Sequence, residues 1–178
     1  FRKTNKTYAP VKISWMGTFH SIAARLLREH ANVIGLESDF TIMDRNDSAD
    51  MLDMLRHELG YTSAQKRFPK KKTCLDIYSR CVNSQESIEN VVEKHFPYCH
   101  GWDEELTALF RGYAKAKADQ FCLDYDDLLL YCFHMAKIPE VANKVREQFD
   151  YILVDEYQDT NKLQSGILTG FFPSGEGL

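Results

Sequence analysis

The chain has 178 residues, 44% of them hydrophobic and 27% charged, with a formal net charge of −4. This composition fits one or two folded units with enough apolar surface for a core, and it excludes a disordered or collagen-like chain. No apolar run approaches the ~20 residues of a membrane helix, no signal peptide is visible, and five cysteines without a C-x-x-C pair argue against a disulfide framework or zinc site, so a cytoplasmic chain with no membrane partner is expected.

Residues 11–17 (Val-Lys-Ile-Ser-Trp-Met-Gly) read as a strand with partial alternation. Thr18 or Ser21 can cap the helix that follows, whose Phe19, Ile22, Ala23, Leu26, Leu27 and His30 recur at nearly helical spacing; Gly35 ends it or the turn after it. A second helix begins at 44–47, carries Met51, Leu52, Leu55 and Leu59, and stops at Gly60. Residues 61–72 read as a loop with five cations, Lys66, Arg67, Lys70, Lys71 and Lys72, and no acid. Thr73, with Asp76 as an imperfect box partner, is expected to cap a helix over 73–82, and Ser84 a further one ending at Phe96-Pro97. Residues 103–120 read as a longer helix carrying Leu106, Leu109, Phe110, Tyr113 and Ala114. No strand signal appears between 46 and 120.

Beyond that block, Asp124 can cap a helix through Leu128, Leu129, Cys132 and Phe133. Pro139 suits the first position of the next helix, and Asn161 can cap a last one ending near Phe172-Pro173. Between them, 151–155 is a short apolar run of the kind that forms a strand buried on both faces. The expected architecture is a discontinuous α/β domain, 1–45 plus 120–178, with an α-helical subdomain inserted at 46–119.

The 151–155 run ends in two adjacent carboxylates, Asp155 and Glu156. At the C-terminal end of a buried strand, where open α/β sheets bind ligands, one Asp can hold hydrated Mg2+ and a neighbouring Glu can deprotonate an attacking water. That is the Walker B half of a nucleotide-hydrolysing site. The competing reading is a solvated acidic turn that caps the next helix. Asp126 and Asp127 also form a carboxylate pair; a structural role, capping their helix and fixing polar contacts in the core, is expected of them.

The longer string Asp155-Glu156-Tyr157-Gln158-Asp159-Thr160-Asn161 resembles motif II of the superfamily I helicases related to UvrD, PcrA and Rep. Thr18-Phe19-His20-Ser21 resembles their motif Ia, and Leu123-Asp124-Tyr125-Asp126-Asp127-Leu128-Leu129 resembles the acidic segment that precedes motif II, with a weaker echo at Phe40-Thr41-Ile42-Met43-Asp44. The resemblance implies a partial RecA-like P-loop NTPase core domain carrying an inserted α-helical subdomain. No G-x-x-x-x-G-K-[ST] phosphate loop occurs in the chain. In the family it precedes motif Ia, so the chain is expected to be an inactive piece of a larger ATP-dependent helicase that moves 3′ to 5′ on single-stranded DNA.

The same resemblance implies the partners: ATP, Mg2+, single-stranded and forked DNA, and the second RecA-like domain of the parent. Asp155 is expected to associate with Mg2+ through water, Glu156 to act as general base, and Gln158 to couple the nucleotide to other motifs. Thr18, Phe19 and His20 are expected at single-stranded DNA, where an aromatic can stack on a base and helix-start N–H groups suit phosphate. Phe19 also shares the apolar stripe of its helix, and core packing is the competing reading for it. Lys70, Lys71 and Lys72, with the rest of their loop, read either as a duplex contact or as solvated surface. The charge distribution agrees, with six bases to one acid over 1–36 around the DNA motif and ten acids to three bases over 119–161 around the metal motif. An incomplete sheet would leave an open edge, so self-association of the truncated chain is expected to compete. Two alternatives stand beside this reading: a helicase–nuclease of the AddA or RecB type, and a non-hydrolysing helical interaction module.

Overall fold

Side-chain caps set most helix starts in this chain. The computed structural model describes residues 13–62, 68–175 and 177. Among them the order is α1 (Phe19–Glu29), β1 (Thr41–Ile42), α2 (Arg45–Glu58), α3 (Lys71–Ser84), α4 (Ile88–His95), α5 (Asp103–Asp119), β2 (Cys122–Leu123), α6 (Tyr125–Met135), α7 (Pro139–Gln148) and α8 (Lys162–Phe171). Thr18 caps α1, and Asp44, Asp124 and Asn161 each close a reciprocal capping box at the start of α2, α6 and α8. Each such cap satisfies N–H groups that the first turn would otherwise leave open, a contribution of about 1 kcal/mol.

Two helix starts differ from expectation. Lys70, which offers no side-chain cap, precedes α3, so the helix begins at Lys71 and Thr73 and Asp76 lie inside it. Gln85 then turns left-handed at φ 56° and ends α3. That turn moves the next start downstream, so Ser87 rather than Ser84 caps α4 through the Asn90 N–H. Ser84 closes α3 instead, its buried hydroxyl without a hydrogen-bond partner.

The two short strands were not legible, because two residues are too few to show alternation. They pair in parallel, Thr41 opposite Cys122 and Ile42 opposite Leu123, and make the fold α/β. Bonds from the Thr41 N–H to the Phe121 carbonyl and from the Met43 N–H to the Leu123 carbonyl extend the ladder at both ends. The chain therefore enters and leaves the stretch between them at one place. Apolar side chains gather in two clusters. One contains Leu26 and Leu27 of α1 with Leu128, Leu129, Val141 and Leu163. The other contains Leu52, Ile77, Val91, Leu106, Leu109 and Tyr113, all between 43 and 122 in the sequence.

Where β2 runs into α6, a charged knot is buried against the second cluster. Lys117 is 3% exposed, and its ammonium donates to Asp124 Oδ2 at 2.7 Å, to Asp127 and to the Tyr78 hydroxyl at 3.2 Å. The Tyr113 hydroxyl donates to the same Asp124 oxygen at 2.8 Å. One ammonium cannot neutralise two carboxylates in a low dielectric. Burial, followed by the neighbouring Asp124, pushes Asp127 up to about 6 against the pull of Lys117. Burial works to discharge Lys117, and the two carboxylates more than reverse it, so the amine stays protonated.

Two expected strands are absent among the described residues. Residues 13–17 form bends rather than a ladder, and 11–12 lie outside the described residues. Residues 151–155 are not buried on both faces: Tyr151 is 81% and Leu153 92% exposed, whereas Ile152 packs against the first core. The side chains alternate as an extended chain requires, with one face against the core. A strand also needs a neighbour to bond, and among the described residues a single backbone bond, from the Ile152 N–H to the Gly177 carbonyl at 2.7 Å, anchors the segment.

Candidate functional site

The extended segment 151–154 delivers Asp155 and Glu156 to the surface, and both are exposed. Asp155 Oδ1 accepts the Glu156 N–H at 2.9 Å, an Asx-type contact that tightens the turn. Glu156 adopts a left-handed backbone, φ 50° and ψ 41°, which costs a non-glycine residue of order 1–3 kcal/mol. A single 3-10 turn, Tyr157–Asp159, follows, and within it the Gln158 side-chain amide donates to a Glu156 carboxylate oxygen. The Thr160 hydroxyl donates to the Tyr157 carbonyl at 2.8 Å, and Asn161 then caps α8. The acids are thus held on a strained, hydrogen-bonded turn with no cation paired to them among the described residues. Exposed carboxylate oxygens of this kind are the hard donors that a hydrated Mg2+ takes.

A second feature lies beside this turn. A groove of about 490 Å³ is lined by Thr18 and His20 at the start of α1, Arg45 from α2, Ser79 and Asn83 from α3, Tyr125, Asp126 and Leu129 from α6, and Asn161. The Thr18 hydroxyl accepts the Ser21 N–H at 3.3 Å, the usual work of a cap, and still faces solvent. Phe19 is half-buried and packs against the first core. His20 meets the Tyr125 ring edge-on at 5.8 Å. Burial holds the His20 imidazole below its ordinary value, with Asp126 opposing, so at pH 7 it is neutral. It therefore offers a ring face and a hydrogen bond rather than a charge to whatever enters the groove.

The three lysines differ from one another. Lys71, at the first position of α3, is paired with Asp50 of α2, and that hydrogen bond raises its pKa. Lys70 and Lys72 are exposed and form no ion pair among the described residues. Lys66 and Arg67 of the same loop lie outside the described residues.

Two residues of α3, Ser79 and Asn83, had no signal in the sequence. Asp126 accepts hydrogen bonds from the Ser79 hydroxyl at 2.9 Å and the Asn83 amide at 2.6 Å, and the Asn161 amide donates to Asn83 Oδ1 at 2.8 Å. Partners 43 to 78 positions apart leave no periodic trace. They join α3, α6 and the start of α8 along one wall of the groove. All five cysteines are free thiols, and among the described residues no three His, Cys, Asp or Glu side chains gather as metal ligands. No described helix is long and apolar enough to cross a membrane.

The chain matches known proteins in sequence. Residues 2–177 match the family model for the UvrD/REP helicase N-terminal domain. The chain is similar to the ATP-dependent DNA helicase PcrA of Staphylococcus epidermidis, with 33% identity over 155 residues, covering 86% of this chain and 20% of that protein. It is likewise 32% identical over 155 residues to the ATP-dependent DNA helicase PcrA of Staphylococcus aureus, with the same coverage. The chain spans about a fifth of the length of these curated relatives.

Proposed function

Because the chain belongs to the UvrD/REP helicase N-terminal domain family, we propose that it forms part of an ATP-dependent DNA helicase. In this reading the motor couples ATP hydrolysis to 3′-to-5′ movement along single-stranded DNA and opens duplex at a fork. Residues 1–45 and 120–178 are then a partial RecA-like core and 46–119 an inserted helical subdomain. The two apolar clusters, meeting at the β1–β2 pair, support that division. The observation that carries the functional reading is the motif II turn, with two exposed adjacent carboxylates and Gln158 hydrogen-bonded to the second of them.

Asp155 would hold Mg2+ through water, and the metal when bound would neutralise charge on the phosphates. Glu156 accepts a proton from the attacking water. Gln158, through its bond to the Glu156 carboxylate, fixes the direction in which that oxygen faces. Thr18 and the N–H groups at the start of α1 receive a DNA phosphate, and the neutral His20, with the exposed edge of Phe19, receives a base. Lys70 and Lys72 supply phosphate contacts toward the duplex, and Lys71 joins them only by exchanging Asp50 for DNA. The 178 residues alone are proposed to be inactive, since hydrolysis also needs a phosphate loop and a second RecA-like domain to complete the cleft. A cytoplasmic location belongs to the same proposal.

The test is ATP turnover by the full-length protein with and without an oligo-dT strand, together with unwinding of 3′-tailed and 5′-tailed duplexes. DNA-stimulated, Mg2+-dependent turnover and preference for the 3′ tail are expected, and Glu156→Gln should lower turnover by about 10²–10⁴-fold. Turnover indifferent to both DNA and Glu156→Gln would refute the reading.

A further inference from the structure

Asn83 occupies an unusual position. It lies near the end of α3, and each end of its side-chain amide is used by a different element. The carbonyl oxygen accepts from Asn161 at 2.8 Å. The nitrogen donates to Asp126 Oδ1 at 2.6 Å, to the Ser79 carbonyl at 2.8 Å and to the Ser79 hydroxyl at 3.3 Å. The orientation is not interchangeable. Flipping the amide would set two NH₂ groups against each other at Asn161 and two oxygens against each other at Asp126. Asn83 is thus held in one direction by partners 78 and 43 residues away.

Each partner leads somewhere specific. Asn161 caps α8 and closes the turn that presents Asp155 and Glu156. Asp126 follows Tyr125, whose ring meets His20 at the groove. The left-handed backbone at Glu156 provides a strained point at which the turn can change conformation. We propose that Asn83 is a positioning residue that couples the nucleotide turn to the DNA groove: movement of the Asn161 cap is passed through its amide to Asp126, Tyr125 and His20, and the reverse. The inference rests on the motor reading above and adds to it the route by which the two ligands sense each other.

The experiment uses the full-length protein carrying Asn83→Ala or Asn83→Asp, the second keeping an oxygen for Asn161 while placing a carboxylate against Asp126. ATP turnover is measured with and without oligo-dT, alongside oligo-dT affinity and melting temperature. Turnover without DNA should stay within about twofold, while the stimulation by DNA should fall about fivefold or more, the usual lower range of coupling between sites. Adding Asn161→Ala to Asn83→Ala should cause little further loss of stimulation, because both remove the same link. Full stimulation in both single variants, or a fall in melting temperature with both rates reduced in proportion, overturns the proposal. Absence of DNA stimulation in the unsubstituted protein would instead sink the motor reading itself, and the coupling with it.

Discussion

Two pairs of neighbouring acids follow opposite courses in this fold. Asp126 and Asp127 begin α6, where Asp127 is 6% exposed and both are committed to donors within the protein, to Ser79 and Asn83 in one case and to Lys117 and the Asp124 N–H in the other. Asp155 and Glu156 stand in solvent, bonded among the described residues only within their own turn. A buried carboxylate must be satisfied by the protein or it unfolds the region around it. An exposed one on a strained turn is free to meet a ligand. The contrast separates stability from chemistry more sharply than residue type does, since all four residues are acids next to acids.

That separation can be broken from either side. The largest effect is expected from Glu156→Gly. Glycine relieves the left-handed backbone at φ 50° and removes the proposed base. Turnover of the full-length protein should fall about 10²–10⁴-fold while stability stays within about 1 kcal/mol of the parent by urea denaturation. A large loss of stability with turnover intact would reverse the roles assigned to the two pairs.

Lys117→Ala should do the opposite. It strands Asp124 and Asp127 without their cation and should destabilise the protein by about 3–5 kcal/mol, the range for breaking a buried ion pair. Urea denaturation checks it, and a change below 1 kcal/mol would mean that the knot is already solvated.

The smallest effect concerns pH. The Asp127 pKa is raised on folding to about 6, so the folded state holds a proton there that the unfolded chain has already lost. The stability contributed by that proton is present below the unfolded pKa, near 4, and disappears as pH rises through about 6. Stability measured at pH 4 and pH 7 should therefore show the parent losing, relative to Asp127→Asn, at most about 2–3 kcal/mol over that interval. A difference of the opposite sign would show that the pull of Lys117 outweighs burial.

The parts of the molecule legible in sequence were those governed by neighbours along the chain. Thr18, Asp44, Asp124, Asn161 and Pro139 announced helix starts because capping is decided within four residues. Asp155 and Glu156 were legible as a pair for the same reason, and the turn that carries them is local. Long-range pairing left no such mark. The apolar run at 151–155 predicts a strand, yet a ladder depends on what lies alongside, and among the described residues no second strand pairs with it. Ser79 and Asn83 carry no motif of their own and became visible only when α3 was seen against α6 and α8.

The side-by-side passage of the chain at Thr41–Ile42 and Cys122–Leu123 has a consequence of its own. Adjacent strands sit about 4.8 Å apart, so in the proposed division everything between them is strung as a cassette on a two-thread stalk, with α3 also bonded to α6 and to the start of α8. Such a stalk lets a lineage lengthen, shorten or exchange the cassette without re-threading the host. Asp124 and Asp127, which reach across the stalk to Lys117, and Asp126 and Asn161, which bond to Ser79 and Asn83 of α3, would have to change with it.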